Sequence, residues 1–313
     1  MNKKIGTLAL SLSAALLLAS CGGASENNAS DGNGEWTPEG TVSLIVGAGP
    51  GGGSDIMARE FAESYEGDIV VENLEPVEAE FSVFNASGDA ERIGVGNWAS
   101  MIAHPSELDT GYKWDDFTQI GIVAADILYL VAAPGAFDSA EDMVEQGKEQ
   151  SLSVAQVGSS GGHEVVAEDI ADALDIEFET IGFEGAGDQL NAVIAGDVDL
   201  AILSPGAFMT YVESGEIEPI FSAGSEEYLP EELSDVAVPA DLGIDREFPM
   251  FWRNVFAPPE ISDEQRQHWE EAIEEWTQTE AYEEYLDTNY LAPEFLTGED
   301  LEEQMQVDQD FVE

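Results

Sequence analysis

Two glycine-rich turns are the segments of this chain whose residue types could bind a ligand. The first, "GAGPGGGSD", spans residues 47–55, and the second, "GSSGGH", spans residues 158–163. Each follows a strand-like apolar run and precedes a helix-like stretch. Glycines let backbone N–H groups approach a ligand, and the following helix presents unpaired N–H groups with a partial positive charge. Both turns are therefore predicted to bind an anionic group, either a phosphate or a carboxylate.

The first turn also fits a dinucleotide fingerprint. Gly47, Gly49 and Gly52 satisfy G-x-G-x-x-G, and Glu72 follows at the end of the next strand-like run. The Lys of a nucleotide P-loop is missing, so that type of phosphate site is excluded. An exported oxidoreductase stays open as an alternative.

The second turn fits a nucleophile elbow. Gly158, Ser160 and Gly162 spell G-x-S-x-G between a strand and a helix. A hydrolase of this type needs a His further along the chain, and after His163 only His268 is available. The helical pattern around His268 predicts that it faces solvent or a neighbouring acid, which argues against a catalytic triad. A hydrolase stays open as the second alternative.

The N-terminus predicts export. Residues 1–20 combine Lys3 and Lys4 with a short apolar run and a small-residue cleavage site, which is typical of a signal peptide. The segment "LASC" resembles the lipobox of bacterial lipoproteins, which implies lipidation of Cys21. Residues 21–35 are rich in Gly, Ser and Asn and are predicted to form a flexible tether. A lipid would anchor the chain to the outer face of the cell membrane.

The chain is strongly acidic. It has 66 Asp and Glu residues against 9 Lys and Arg, for a net charge of −57. The acids are spread over segments with regular apolar patterns, so a disordered acidic tail does not explain them. The balance indicates a surface adapted to high salt, where repulsion between its charges is screened over a Debye length of ~3 Å. It argues against a nucleic-acid partner, because no basic patch exists.

Strand-like and helix-like segments alternate along the body of the chain, residues 36–313. Strands are predicted at 41–46 and 152–157, each followed by a glycine turn and a helix, and Ser139 is placed to cap a helix over 139–150. This alternation predicts an α/β fold with mostly parallel sheets.

The order of segments resembles the solute-binding proteins of tripartite tricarboxylate transporters, the TctC or Bug family. The resemblance rests on "SLIVGAGPGGGSDIMAR", "VVEN", "YKWDDFTQIGIVA", "SVAQVGSSGGHEVVAEDIADAL", "FEGAGDQLNAVIAGDVDLAILSPG" and "FWRNVFAPPEIS". It implies a two-lobed periplasmic-binding-protein fold of the Venus-flytrap type. Residues 36–133 with 246–313 would form one lobe, and residues 134–245 the other.

The same resemblance implies a binding site without catalysis. The family binds small carboxylates between the lobes through its two glycine loops, without a cofactor, and delivers them to a membrane permease. A monomer is expected. The residues carried over as ligand-binding are Gly51, Gly52, Gly53, Ser54, Asp55, Gly158, Ser159, Ser160, Gly161 and His163. Weaker candidates are Gly185, Ala186, Asn97 and Arg253.

Two of these roles are left open, and one segment departs from the family pattern. Asp55 could accept a hydrogen bond from the ligand or cap the helix after the turn, and Arg253 could contact the ligand or join the lobes. The family continues after "VEN" with Arg, Pro and several glycines, whereas this chain has "LEPVEAEF". The acids Glu75, Glu78 and Glu80 there indicate either a salt-adapted face or a ligand with a positive group.

Overall fold

The computed structural model describes residues 36–157, 162–246 and 248–312, without the side chain of Glu107. The predicted signal peptide (1–20) and the tether (21–35) lie outside the described residues. So do four residues of the second turn: Gly158, Ser159, Ser160 and Gly161.

The described chain forms two five-stranded sheets. The first has the order β2-β1-β3-β10-β4 and the second the order β7-β6-β8-β5-β9. The strands of the first sheet are β1 Val42–Val46, β2 Ile69–Asn73, β3 Arg92–Asn97, β4 Thr118–Asp126 and β10 Phe251–Ala257. Those of the second are β5 Tyr129–Ala132, β6 Leu152–Val157, β7 Phe178–Phe183, β8 Leu200–Leu203 and β9 Glu218–Ser222.

The α/β class is confirmed, but both sheets are mixed and the prediction of mostly parallel sheets is wrong. In the first sheet β1 runs parallel to β2 and β3, whereas β10 is antiparallel to both β3 and β4. In the second, β6 runs parallel to β7 and β8, whereas β5 is antiparallel to β8 and β9. A parallel neighbour needs a crossover, usually a helix. In each sheet the strand that follows a passage, β10 in the first and β5 in the second, is antiparallel to both of its neighbours.

Ten α-helices are described. They are α1 Gly53–Ser64, α2 Glu78–Phe84, α3 His104–Glu107, α4 Ala140–Glu149, α5 Gly162–Leu174, α6 Ala186–Ala195, α7 Pro205–Ser214, α8 Asp263–Thr277, α9 Glu280–Asn289 and α10 Gly298–Val312. The predicted cap of α4 is present, because Ser139 Oγ accepts from the Asp142 backbone N–H at 3.2 Å. Within the described ranges, none of the helices has the length and apolarity needed to cross a membrane.

The chain passes between the sheets twice. The first passage lies between Asp126, the last residue of β4, and Tyr129, the first of β5. It therefore comes a few residues before the lobe boundary expected at residue 133. The second passage is the segment between β9 and β10, in which the helical turns of the described residues are short 3₁₀ turns. The assignment of whole lobes by residue range stays a prediction.

Three apolar clusters hold these elements together. One packs α1, α8 and α9 against the first sheet through Phe61, Trp269 and Trp276. Another lies in the second sheet around α5. The third contains residues of both sheets, such as Ile122 of the first and Ala155 of the second. The C-terminal helices α8 and α9 therefore pack on the first sheet. The cluster with residues of both sheets connects the two sheets through apolar burial.

The C-terminal helix α10 carries a buried acid. Asp308 is 2% exposed, and its Oδ2 accepts from Trp252 Nε1 at 2.6 Å. Burial raises the pKa of Asp308 to about 6. Since the folded state favours the protonated carboxyl, Asp308 supports folding below its unfolded pKa and loses that contribution as pH rises through about 6.

Replacing Asp308 with Asn is expected to stabilise the protein at neutral pH by about 1–3 kcal/mol, because it removes a buried charge. The gain should shrink as pH falls from about 7 towards 3, because Asp308 is neutral in both states only below its unfolded pKa of 3.8. Denaturant unfolding of both proteins across this pH range measures the difference. A gain that stays constant with pH would show that ionisation of Asp308 does not cause it.

Candidate functional site

Three helices begin without a side-chain cap at the carboxyl ends of strands in parallel pairs. Helix α1 follows β1, α6 follows β7 and α7 follows β8, with Gly52, Gly185 and Ser204 at their N-cap positions. The first N–H groups of a helix have no partner within the helix. Ligand sites of α/β sheets lie beyond the carboxyl ends of such strands. These helix ends can therefore donate hydrogen bonds to an anionic ligand.

Helices α4, α8 and α9 are capped by their own sequence. The side chains of Ser139, Ser262 and Thr279 accept from backbone N–H groups in their first turns. Helices α2 and α3 lack a side-chain cap as well, so an open start alone does not mark the site. The starts of α1, α6 and α7 are candidates because they combine free N–H groups with a position beyond the carboxyl ends of strands.

The carboxylate of Asp55 holds the first turn in shape. Its Oδ2 accepts from the Gly51 N–H at 2.8 Å and from Arg59 Nε at 3.0 Å. Its Oδ1 accepts from Arg59 Nη2 at 2.8 Å and from Asn73 Nδ2 at 2.9 Å. The hydrogen bond from Arg59 is the main reason that the pKa of Asp55 falls to about 2. Both oxygens are engaged and neither caps α1, so Asp55 organises the turn that presents the N–H groups.

Arg253 lies against the first residue of α1. Its Nη1 donates to the Gly53 carbonyl at 3.2 Å and to the Tyr285 hydroxyl at 2.7 Å, and its Nη2 donates to Asp126 Oδ2 at 2.6 Å. A Cβ at Gly53 would come within 2.7 Å of Nη2, so this approach requires glycine. The structure thus places a largely buried cation beside the uncapped start of α1.

Asn97 joins the end of β3 to the same place. It is paired with Arg253 across the β3–β10 ladder. Its Nδ2 faces Ser54 Oγ at 3.4 Å, and its Oδ1 accepts from the Ser100 N–H at 3.0 Å, where a π-helical turn begins. The sequence candidates in the first turn, Asn97 and Arg253 are therefore brought together.

The second turn contributes the start of α5. A Cβ at Gly162 would come within 2.5 Å of the rings of Phe251 and Trp98, so α5 begins directly against residues next to the first site. The His163 ring lies 5.2 Å from Phe251. Burial lowers the pKa of His163 to about 4, and its Nδ1 has no partner among the described residues. Near neutral pH, His163 can therefore offer a neutral ring nitrogen to a ligand.

Gly185 and Ala186 form the open start of α6. No atom lies within 4 Å of a Cβ built on Gly185. The hydrogen bonds and ring contacts of the described residues do not connect this pair to the first turn. It remains a weaker candidate at the end of β7, which is an edge strand.

The segment that departs from the family pattern is not one exposed acidic face. Glu75 and Glu78 are exposed, but Glu80 is only 1% exposed. Its Oε2 accepts from the Val77 N–H at 2.7 Å, and Val77 has a φ of 71°, which is costly for a β-branched residue. Burial raises the pKa of Glu80. Glu80 thus closes the start of α2 beside the first turn.

Sequence reasoning missed Asp126 and Tyr285 in this region, and Ser204 at the open start of α7. Asp126 and Tyr285 contact Arg253 from positions 127 and 32 residues away, so no local pattern could have indicated them. Ser204 has a local signal, since it follows a buried strand and precedes a proline at the first position of α7.

The two enzyme alternatives gain no geometric support. Glu72 Oε1 accepts from Ser43 Oγ of the adjacent strand at 2.9 Å. His268, predicted to face solvent or a neighbouring acid, is hydrogen-bonded to the Tyr65 hydroxyl at 2.8 Å and packs against Trp36. Ser160, the predicted nucleophile, lies outside the described residues.

A separate cavity of about 940 Å³ lies in the second half, between the end of β9 and the segment before β10. Tyr228, Ile244 and Phe248 are among its lining residues, and it includes none of the residues described above.

Comparison with known proteins identifies the family. The model of the tripartite tricarboxylate transporter family receptor, TctC, matches residues 86–312. A UPF0065 protein of Bordetella pertussis is 22% identical over 284 residues, which cover 87% of each chain.

Solved structures share the fold at low sequence identity. A TctC solute-binding protein from Polaromonas superposes with a TM-score of 0.76 at 17% identity, covering 88% of this chain and 97% of that one. MatC from Rhodopseudomonas palustris with bound malate gives 0.67 at 20% identity, covering 88% and 100%. A second R. palustris protein, with adipate, gives 0.69 at 18% identity, covering 86% and 94%. Since the family model spans most of the folded body, the chain belongs to the TctC family of tripartite tricarboxylate transporter receptors.

Proposed function

We propose that this protein is an extracytoplasmic receptor that captures a small carboxylate between two lobes. The observation that carries the proposal is the uncapped N-terminus of α1 beside the guanidinium of Arg253. Backbone N–H groups at a helix start and an arginine are both favourable donors for a carboxylate. The family is one of receptors, so the site binds its ligand and returns it unchanged.

The two glycine turns would grip the ligand from opposite sides. The first lobe supplies residues 51–55 with Asn97 and Arg253. The second supplies residues 158–161 with His163, and Gly185 and Ala186 of α6 as outer contacts. Related proteins crystallised with malate and adipate support a carboxylate as the ligand class. Closure around the ligand would follow from its preference for the closed arrangement.

The finer features of the sequence fit a receptor held at the membrane. Cleavage after residue 20 and lipidation of Cys21 would anchor the mature chain, and residues 21–35 would let a monomer reach the membrane permease of a tripartite tricarboxylate transporter. The acidic surface would suit brine, where salt screens its self-repulsion.

Carboxylic acids are expected to stabilise the protein in a thermal-shift screen at molar salt that includes malate and adipate. Binding at 100 times the Kd should add about 2.7 kcal/mol to the free energy of unfolding. Sugars and amines of similar size serve as controls. Stabilisation by a sugar or an amine, with no effect of any acid, would contradict the proposed ligand class.

Replacing Gly53 with Ala is expected to weaken carboxylate binding at least about tenfold, because its Cβ would displace the guanidinium of Arg253 and alter the start of α1. Calorimetric titration measures the effect. Gly121→Ala is the matched control, since a Cβ there meets the nearest atoms at 3.5 Å, an ordinary contact. Equal affinities of the two variants would place the ligand away from α1.

Replacing Cys21 with Ala is expected to release the protein from the membrane fraction, because no thiol remains to carry the lipid. Cell fractionation with mass analysis of the mature N-terminus measures the result, and Ser25→Ala in the same segment is the control. Membrane association that survives loss of Cys21 would refute the anchor.

A further inference from the structure

The guanidinium of Arg253 is already in an ion pair within the protein. Asp126 Oδ2 lies 2.6 Å from its Nη2, and the side chains are only 10% and 20% exposed for Arg253 and Asp126. The other contacts of Arg253 are neutral, namely the Gly53 carbonyl and the Tyr285 hydroxyl. Burial raises the pKa of Tyr285 to about 12, so its hydroxyl stays protonated at neutral pH.

Two other acids lie near the turn. Asp55 is paired with Arg59 at 2.8 Å. Glu80 lies against Gly47 and is buried, which raises its pKa and disfavours its charged form. The cradle formed by the start of α1 and Arg253 therefore presents hydrogen-bond donors with little net charge. Its electrostatic attraction for an anion depends on how much of the Arg253 charge Asp126 cancels.

We propose that Asp126 is a specificity-determining residue: by neutralising Arg253 it weakens the general attraction of the cradle for anions, so that the fit of a ligand to the N–H groups decides what binds. This inference rests on the proposed function, because it assumes that a carboxylate binds at the start of α1. A fully charged Arg253 would bind any small anion, including the chloride of a saline medium. With Asp126 present, selection depends on the fit of the ligand to the N–H groups.

The position of the pair suits this role. Asp126 ends β4 at the first passage between the sheets, and Arg253 lies near the start of β10, which follows the second passage. Neighbouring β-ladder pairs, such as that of Arg253 with Ala124, hold the two strands in register. An Asn at position 126 could still accept the hydrogen bond from Nη2, so its charge can be removed with little change in shape.

The test is Asp126→Asn, with acetate and acetamide as probes. Acetate fits any carboxylate cradle, and acetamide has the same shape without the charge. The five arginine Nε–H signals of the chain allow binding to be followed by NMR titration, with Arg253→Gln identifying the relevant signal.

The variant is expected to bind acetate about fivefold to tenfold more tightly, since a like charge has been removed, and acetamide unchanged. Its acetate affinity should fall more steeply with added NaCl, because chloride now competes for Arg253. The gain should vanish in the double variant with Arg253→Gln. Asp169→Asn is the matched control, because it removes the acid of another 2.6 Å ion pair, that of Arg246.

Tighter binding of both probes, an equal gain in Asp169→Asn, or acetate affinity that is unchanged or reduced in Asp126→Asn would overturn the inference. The receptor function would still stand if the acids of the screen bind the unaltered protein and binding is lost in Gly53→Ala. Absence of acetate binding to every variant, together with a screen in which no acid binds, would instead remove the proposed function itself.

Discussion

The start of α1 depends on backbone N–H groups that its own sequence leaves without an acceptor. A side-chain cap would satisfy them, and α4, α8 and α9 have such caps, but α1 begins at glycine. The turn is instead held from behind by Asp55, which accepts from Gly51 and is bound by Arg59. The side chains therefore shape the turn, and the backbone N–H groups at the start of α1 stay available to a ligand. This is the condition for a preorganised anion site.

The charge of the chain and the charge of the site act over different distances. A net charge of −57 repels anions at long range, but screening at molar salt confines this repulsion to a few ångströms, with a Debye length of ~3 Å. Helix N–H groups and Arg253 act at contact, where screening has little effect. The proposed carboxylate ligand is therefore compatible with the strongly negative charge of the chain in molar salt. The pairing of Arg253 with Asp126 further reduces dependence on bulk electrostatics.

The return of β10 to the first sheet brings the site together. β10 enters the first sheet between β3 and β4, and this places Arg253 opposite Asn97 and beside Gly53. In the second sheet, β5 is likewise antiparallel to both of its neighbours. Because β4 ends at the first passage and β10 follows the second, Asp126 and Arg253 lie at the passages and also beside the glycine turn. The apolar cluster that includes both sheets gives this arrangement a common core.

The sequence alone determined the α/β class, the strand–glycine–helix order of both turns, the cap at Ser139 and the family resemblance, which the comparisons confirm. These features depend on local patterns in the sequence, namely the periodicity of apolar residues, the type of residue that caps a helix, and a glycine turn before a helix. The tertiary structure decided the mixed sheets, the use of Asp55 inside the turn, and the cluster of Arg253 with Asp126, Tyr285 and Gly53. No sequence pattern could give that cluster, because its members lie up to 200 residues apart and meet only after β10 returns to the first sheet.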